Sequence, residues 1–405
     1  MEERIFSGLK VWDMSWIGVG PLTARYLGDN GATVVRLDSF TRPDLLRMAP
    51  PFARGEFGLD NSMFYGDYNC SKYGIGLNLQ NPLARDIAKK LAAWADVLIE
   101  SFTPGAMARL GLDYENLVRD NPGLIMLSTC MQGQTGPYSG YPGFGNLMGA
   151  LSGFYEITGW PDRAPSPPYG AYTDFIAQRF TTLALVAALD YRRRTGEGQH
   201  IDVSQYEAGL QYLGAELLEY EVNGHVAKRM GNRDKSMAPH GVYPCQDERW
   251  IAIAVSEDEQ WQALKEAMGC PSWAEEPRFS TFKERKENEE ELDRLIGQWT
   301  GQNEAERLFW RLAPHLAAGI VHDQSGLYTD PQVLYRRYFV TLEHPSMGKA
   351  PYNGAQTLLS KSCNQPTKVS PMIGEDSRFV LREFLGMSEG EVERLIGEGA
   401  VEAAG

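Results

Sequence analysis

The N-terminal third of the chain alternates short apolar strands with helices, and few folds accept that order. Strands are predicted at residues 8–13, 32–37, 96–99 and 124–128. Pro21 and Pro82 each suit a first helical turn, because proline lacks the N–H that such a turn leaves unpaired. Strands that alternate with helices of this length form βαβ units, so we expect a parallel sheet covered by helices. Ligands of such sheets bind at the carboxyl ends of the strands.

The clearest predicted helix covers residues 175–194, and its basic last turn suits the negative end of the helix dipole. The other segments are predicted, in chain order, as a strand at 200–203, a helix at 207–222, a strand at 249–256, a loop at 345–370 and a helix at 375–399. The strand at 249–256 opens a second region of the α+β class.

The acidic charge of the chain excludes one large class of partner. There are 39 basic and 53 acidic side chains, which gives a formal net charge of −14. Nucleic-acid affinity depends on clustered Lys and Arg, so we expect no nucleic-acid partner. A small anionic ligand that meets a local basic pocket stays open.

Cysteine and histidine usage points to a cytoplasmic protein without a metal centre. The five cysteines are scattered and form no CxxC pair, which is typical of a reducing compartment. No run reaches the ~18 apolar residues that span a bilayer, so no membrane location is expected. The six histidines lack HxxxH spacing, so we expect no metal ligands. The turn at residues 18–20 lacks the third glycine of a dinucleotide fingerprint.

Asp174 stands immediately before the long predicted helix and has two interpretations. It can be an N-cap carboxylate, a role worth about 1 kcal/mol. Alternatively, the helix dipole can keep it ionised beside a loop-rich cleft, where it attacks an acyl carbon. Local physical chemistry permits both roles and does not choose between them.

A series of short motifs in a fixed order carries a family resemblance. The motifs are VVRLD (34–38), NCSK (69–72), GLNL (76–79), ADVLIESF (95–102), PGAMARLG (104–111), RRTGEGQHIDVS (193–204), APHGVY (238–243) and GED (374–376). Together they resemble the class III CoA-transferase family, which includes formyl-CoA transferase, carnitine CoA-transferase and α-methylacyl-CoA racemase. The resemblance covers nearly the whole chain.

The resemblance implies an enzyme that moves CoA from an acyl-CoA to a free carboxylic acid. The family's catalytic aspartate falls on Asp174, which would pass through a mixed anhydride and an aspartyl-CoA thioester. The positions that match the family's CoA site are Trp16, Ile17, Gly18, Val19, Tyr68, Asn69, Lys72, Ser101, Phe102 and Arg109. Because the chain is acidic, a pocket for polyanionic CoA must concentrate positive charge, and Lys72 and Arg109 are the predicted cations. Arg42 and Arg47 lie on the same predicted sheet edge.

Departures from the family pattern bear on the substrate. Gly18 and Gly145 replace a glutamine and a glutamate of formyl-CoA transferase, and residues 232–237 replace its glycine-rich lid. We expect Gly145 to leave space for a larger acid, aromatic or dicarboxylic. Phe144, Gly145 and His240 are the predicted substrate-pocket residues.

Two alternative functions remain open at this point. The first is an acyl-CoA racemase or epimerase of the same superfamily, although Phe144 stands where the racemases have a histidine base. The second is a CoA-binding subunit of a heteromeric transferase, which the presence of Asp174 disfavours.

The resemblance also implies the architecture. We expect a large Rossmann-like α/β domain from residues 1–205 with 345–405, a small α+β domain at 225–325, and linkers at 206–224 and 326–344. The family forms an interlocked dimer, so we expect a homodimer, with a homologous second subunit as the other option. CoA is expected as part of the substrate, and no permanently bound cofactor is expected.

Overall fold

The computed structural model describes residues 4–404, which divide into two compact units. The large unit comprises the described residues of Met1–Tyr155, Pro167–Val226 and Arg337–Gly405. The small unit comprises Glu156–Ser166 and Ala227–Arg336.

The strands follow one another along both units. In chain order they are β1 (Lys10–Asp13), β2 (Thr33–Asp38), β3 (Tyr73–Leu77), β4 (Val97–Glu100), β5 (Ile125–Cys130), β6 (Gln199–Ser204), β7 (His240–Pro244), β8 (Trp250–Ala254), β9 (Ala317–Val321), β10 (Phe339–His344), β11 (Gly348–Asn353) and β12 (Val401–Glu402).

The helices range from single turns to one of more than six turns. In chain order they are α1 (Val19–Asp29), α2 (Met63–Tyr68), α3 (Pro82–Trp94), α4 (Ala106–Leu110), α5 (Tyr114–Leu117), α6 (Gly145–Leu151), α7 (Phe154–Ile157), α8 (Tyr172–Thr195), α9 (Gln205–Leu210), α10 (Gly214–Asn223), α11 (Asp258–Met268), α12 (Phe282–Glu287), α13 (Glu289–Thr300), α14 (Ala305–Leu312), α15 (Gln324–Thr329), α16 (Pro331–Tyr335), α17 (Ser377–Phe379) and α18 (Glu389–Gly397). Short 3₁₀ turns occupy Leu45–Met48, Ala53–Gly55, Gln211–Leu213, Ser272–Glu275 and Pro277–Phe279, and Val380–Phe384 forms a π-helical turn.

A seven-stranded sheet organises the large unit. Its strand order is β12-β3-β2-β1-β4-β5-β6, and every neighbouring pair is parallel except β12 with β3. The chain first runs outward from β1 through β2 to β3, and it then crosses to the other side of β1 to form β4. The predicted α/β class with a parallel sheet is confirmed.

Helices cover both faces of this sheet, which explains its apolar strands. Trp12 and Leu98 belong to a buried cluster that also contains apolar residues of α3. Val11 and Leu127 point to the opposite face and join a cluster with residues of α1 and α8. Successive strand residues are therefore buried on alternate faces, as in a sheet that water reaches on neither side.

The small unit is built on the antiparallel sheet β7-β8-β9. Its core contains Ile251 and Ile253 of β8, together with apolar residues of α11, α13 and α14. A groove of about 530 Å³ lies on this unit. Its lining comprises Gly231, Asn232, Arg233, His240, Gly241, Val242, Ala252, Ile253, Ala254, Ala317, Ala318 and Gly319.

The structure differs from the sequence expectations in several segments. The predicted linker 206–224 folds as α9, a 3₁₀ turn and α10 within the large unit, and 326–344 extends from α15 into β10. The small unit reaches residue 336 and includes Glu156–Ser166 as well. The predicted loop at 345–370 contains β11, which pairs with β10 across a turn at residues 345–347 and begins at Gly348, where φ is +81°.

Gly198 should be essential to the packing of the β5–β6 edge. A methyl group there would overlap the backbone carbonyl of Leu124, which cannot rotate away as a side chain can. We expect Gly198→Ala to lower the free energy of unfolding by about 1–3 kcal/mol, the usual cost of overpacking. Urea unfolding measures the change. Gly390→Ala is the control, because Gly390 lies in α18, where an added methyl group would meet no atom within 4 Å. Equal stability of the two variants would contradict the assignment.

Candidate active site

A cavity of about 200 Å³ opens at the carboxyl ends of β1, β4 and β5 in the large unit. It lies where the strand order changes direction between β1 and β4, and such a reversal leaves a crevice between the loops. The cavity is lined by Trp16, Ile17, Gly18, Val19, Ser101, Phe102, Thr103, Pro104, Thr129, Cys130, Met131, Ser139, Tyr141, Pro142, Gly143, Phe144, Gly145, Asp174 and Gln205.

Ser101 fastens the loop after β4 to the turn after β1. Its Oγ accepts a hydrogen bond from the Trp16 N–H at 2.8 Å and lies 3.2 Å from the Trp16 carbonyl oxygen, to which it donates. The Trp16 ring meets the Phe102 ring edge to face, with centroids 5.7 Å apart. These contacts make the two loops one continuous wall of the cavity.

Asp174 contributes a carboxylate to the cavity from the first turn of α8. It does not cap the helix, because Ala171 holds the N-cap position and no side chain accepts a capping bond there. The residue is only 7% exposed, and within residues 4–404 its Oδ1 has no hydrogen-bond partner. The carboxylate is therefore buried without serving the helix end, and the capping interpretation is wrong.

Two glycines bring backbone directly against this carboxylate. A Cβ atom on Gly18 would overlap Oδ2 of Asp174, and one on Gly145 would overlap Oδ1. The expectation that Gly145 leaves space for a large acid is therefore corrected. Asp174 fills the volume that a side chain at position 145 would occupy.

The environment of Asp174 tunes its proton affinity. Burial raises the pKa of its carboxyl to about 6, and the neighbouring amide of Gln205 acts in the opposite direction. Burial disfavours the charged form, whereas the positive end of a 24-residue helix favours it. Most molecules still carry the carboxylate at pH 7, so a partly desolvated anion faces the cavity.

The comparisons with known proteins decide the family. The model of CoA-transferase family III matches residues 6–377, which is nearly the whole chain. The chain belongs to CoA-transferase family III. It is therefore an enzyme that transfers CoA and takes CoA thioesters as substrates.

Individual relatives of this transferase agree with the family match. It is 30% identical over 393 residues to succinyl-CoA–D-citramalate CoA-transferase of Chloroflexus aurantiacus, with 97% of each chain covered. It is also 30% identical over 396 residues to the alpha subunit of succinyl-CoA–L-malate CoA-transferase of Chloroflexus aurantiacus, with 97% of this chain and 92% of the other covered. Among solved structures, a CAIB/BAIF family protein from Brucella suis matches with a TM-score of 0.87 at 29% identity, covering 95% of this chain and all (100%) of that one.

The fold gathers nine of the predicted site residues around one cavity of the transferase. They are Trp16, Ile17, Gly18, Val19, Ser101, Phe102, Phe144, Gly145 and Asp174. Phe144 is 57% exposed at the N-cap position of α6 and carries no group that could accept a proton. His240, the other predicted pocket residue, belongs to the small unit and lines the groove there.

Lys72 has a different role from the predicted one. Its ammonium is fully buried and donates to Asp13 Oδ2 at 2.8 Å, to the Pro21 carbonyl at 2.9 Å and to Asn69 Oδ1 at 2.8 Å. An ammonium has three N–H donors, so no donor remains for a phosphate. The prediction that Lys72 and the equally buried Asn69 face CoA is therefore corrected.

Tyr68 lies near the carboxylate without lining the cavity. Its ring meets Phe175 edge to face at 6.5 Å. Burial raises the pKa of the Tyr68 phenol, and the charge of Asp174 adds to the rise. The phenol therefore stays protonated and uncharged at neutral pH.

Two exposed arginines flank the loops that form the cavity wall. The Arg42 guanidinium lies 5.8 Å from the centre of the Trp16 ring, a cation–π contact. Arg109 is exposed on α4, which follows the Phe102 loop. Within residues 4–404 neither arginine makes an ion pair, whereas Arg47 is buried against Asp38 and Asp60. Arg42 and Arg109 are thus exposed cations beside these loops that no carboxylate of the described residues neutralises.

Gln205 is a cavity residue that the sequence reasoning missed. It directly follows β6, so it stands at the same sheet edge as the predicted site loops. Its position after a predicted strand was the available signal.

Between residues 4 and 404, no group of three His, Cys, Asp or Glu side chains could hold a metal ion. The same range contains no helix with the length and apolar character needed to cross a bilayer.

Replacement of Asp174 by asparagine should stabilise the fold above neutral pH. Above about pH 6 the native state holds a buried charge that the unfolded chain would solvate. Both states bind the proton below the ordinary pKa of 3.8, so the penalty grows between pH 3.8 and 6 and reaches about 3 kcal/mol. We expect Asp174→Asn to unfold at higher urea concentration than the wild type at pH 8, with the advantage shrinking toward pH 4. Identical midpoints at pH 8 would refute the assignment.

Proposed function

We propose that Asp174 is the nucleophile that carries the transferred groups between two carboxylic acids. The observation that carries this proposal is its buried carboxylate, which has one unpaired oxygen at the cavity and a pKa raised to about 6. A structural carboxylate at this depth would normally be paired or fully hydrogen-bonded. Partial desolvation also makes a carboxylate a better nucleophile than it is in water.

The proposed reaction has four steps that balance. Asp174 attacks the thioester carbonyl and the C–S bond breaks. CoA departs as the thiolate, and the acyl group stays on Asp174 as a mixed anhydride. The thiolate then attacks the aspartyl carbonyl of the anhydride, which releases the donor acid and gives an aspartyl-CoA thioester. The acceptor carboxylate attacks this thioester, which expels the thiolate and forms a second mixed anhydride, now between Asp174 and the acceptor. The thiolate then attacks the acceptor carbonyl of this anhydride, which yields the new acyl-CoA and releases the Asp174 carboxylate.

The start of α1 can stabilise the negative charge that develops on the carbonyl oxygen. The first N–H groups of a helix have no intrahelical acceptor. Val19 begins α1 and lines the cavity, so these N–H groups and the positive helix end lie beside the proposed reaction centre. Donors fixed in place before reaction are an efficient source of transition-state stabilisation.

We propose a dicarboxylic substrate pair, with succinyl-CoA as the donor. The names of both Chloroflexus relatives combine succinyl-CoA with a second dicarboxylic acid, citramalate or malate. The aromatic acid suggested from the glycines loses its main support, because Asp174 occupies the volume beside Gly145. No Lys, Arg or His lines the large unit's cavity within the described range, so the second carboxylate would extend past that lining.

We also propose that the transferase works with a second copy of itself in the cytoplasm. α10 buries none of its residues, and it exposes Leu217, Leu218, Tyr220 and Val222. Such an apolar surface is typical of an interface. A homologous second subunit is the alternative, since one relative is an alpha subunit.

The five cysteines form no disulfide among the described residues, in keeping with a reducing compartment.

Acyl-CoA should label Asp174 covalently. We expect hydroxylamine, added during incubation with succinyl-CoA, to leave a hydroxamate on Asp174, which peptide mass spectrometry locates. Asp174→Asn should lose transfer by at least about 10³-fold, as for other nucleophiles, while its affinity for free CoA stays within a few-fold.

Two outcomes would overturn the nucleophile assignment. One is transfer activity that survives in Asp174→Asn. The other is the lack of any adduct together with uptake of deuterium at the α-carbon of an acyl-CoA, which would instead favour the racemase alternative.

A panel with succinate, malate, glutarate and benzoate as acceptors tests the substrate class, and a preference for benzoate would reject the dicarboxylic proposal.

Arg42 and Arg109 should hold the phosphates of CoA. We expect Arg42→Ala and Arg109→Ala each to weaken CoA binding by about tenfold, as for the loss of one charge-assisted hydrogen bond. Isothermal titration calorimetry measures the dissociation constant. Arg193→Ala is the control, because it removes an exposed charge at the far end of α8. Equal weakening in the control would mean that net charge, not these two sites, controls affinity.

A further inference from the structure

The turn between β1 and α1 contains a strained backbone. Ile17 has φ +67°, in the left-handed region that a β-branched side chain rarely adopts. The turn also lines the cavity, and its Gly18 touches the Asp174 carboxylate. Strain of this kind persists only when the surroundings hold the segment in place.

Asp44 holds the strained residue directly. Both of its carboxylate oxygens lie 3.3 Å from the Ile17 N–H, which donates to them. Its Oδ1 also accepts from the Leu46 N–H at 3.0 Å, and its Oδ2 forms an ion pair with Arg36. The side chains of Asp44 and Arg36 are completely buried, so water cannot replace either partner.

Arg36 extends this support to Ser15, two residues before Ile17. Its guanidinium donates to the Ser15 carbonyl at 2.8 Å and to Asp13 Oδ2 at 3.3 Å. Asp13 in turn accepts from the Ser15 N–H at 3.0 Å. The peptide groups on both sides of Trp16 are therefore held from beneath by buried charges.

The arrangement is costly as a source of stability alone. Buried ion pairs are desolvated, and apolar replacements of similar size often stabilise a protein as well or better. A charged network that fixes a strained turn provides orientation, which apolar packing would provide less precisely.

We propose that Asp44 is a positioning residue: together with Arg36 it holds Ile17 at positive φ and so fixes the turn at residues 16–19 against the carboxylate of Asp174. This inference rests on the proposed function of Asp174, because the turn matters for catalysis only if that carboxylate reacts. A displacement of the reacting groups by about 1 Å can reduce a rate about 100-fold.

Asp44→Asn tests the role in the full-length enzyme. The amide presents a donor where the wild type has only acceptors, so it cannot bond Ile17, Leu46 and Arg36 together. We expect kcat to fall about 10- to 100-fold, whereas KM for the acyl-CoA changes less than about threefold. An unchanged kcat would overturn the proposal.

Asp38→Asn separates positioning from loss of stability. Asp38 is as deeply buried in the same network and pairs with Arg47 at 2.7 Å. Its ion pair with Arg36 is long, at 3.8 Å, and it makes no bond to residues 15–18. We expect thermal unfolding to occur earlier in both variants, with kcat reduced only in Asp44→Asn. An equal loss of kcat in Asp38→Asn would assign the effect to stability and reject the proposal.

Ile17→Asn provides a rescue. Asparagine adopts positive φ far more readily than isoleucine, so the turn should then depend less on Asp44. We expect the loss of kcat caused by Asp44→Asn to be at least about threefold smaller in the Ile17→Asn background. If Asp44→Asn reduced kcat by the same factor in the wild-type and Ile17→Asn backgrounds, the result would argue against the role of Asp44 in holding the backbone.

Hydrogen exchange gives a readout that does not need the reaction. We expect Asp44→Asn to speed amide exchange at residues 15–18 by at least about tenfold, with no such change in Asp38→Asn. Unchanged exchange would overturn the positioning role whatever the activity. Faster exchange in a protein whose Asp174 forms no adduct would instead reject the proposed function and keep the structural role of Asp44.

Discussion

Burial of the Asp174 carboxylate is the constraint around which the large unit's site is arranged. Two backbone segments approach it at positions where no side chain fits, and no described group bonds its Oδ1. Apolar packing alone would expel such a group toward water. It stays in place because α8, which carries it, is packed through Leu185 and Ala188 beneath the central sheet.

The distribution of charge around the site separates structure from binding. Arg36, Lys72 and Arg47 are buried and are matched by Asp13, Asp38 and Asp44, so this group of six adds no net charge. Cations that can meet a ligand are found instead at the exposed loops. The exposed Arg42 and Arg109, which make no ion pair within residues 4–404, are therefore the side chains that we propose for binding a polyanion to this acidic protein.

The sequence predicted the regular parts of the fold and the position of Asp174, and its failures have physical causes. β1, β2, β4 and β5 were found because their apolar, β-branched residues are buried on both faces. β3 was missed because Gly74 and Gly76 interrupt that pattern, and these glycines are needed where Pro371 and Glu402 pack against the strand. Lys72 was assigned to CoA because a sequence shows that a charge is present but not that three buried acceptors already surround it. The network that holds Ile17 joins residues far apart in sequence, so no local sequence pattern predicts it.

The order in which the sheet is completed has a consequence for synthesis on the ribosome. β12 follows the other described strands along the chain, and it covers the edge of β3, which is made more than 300 residues earlier. Glu402 of this strand also binds the Phe40 N–H and the Ser39 hydroxyl, in the loop that carries Arg42. A nascent chain can thus pair most strands of the sheet early, but the loop that carries Arg42 gains this anchor only after Glu402 has left the exit tunnel.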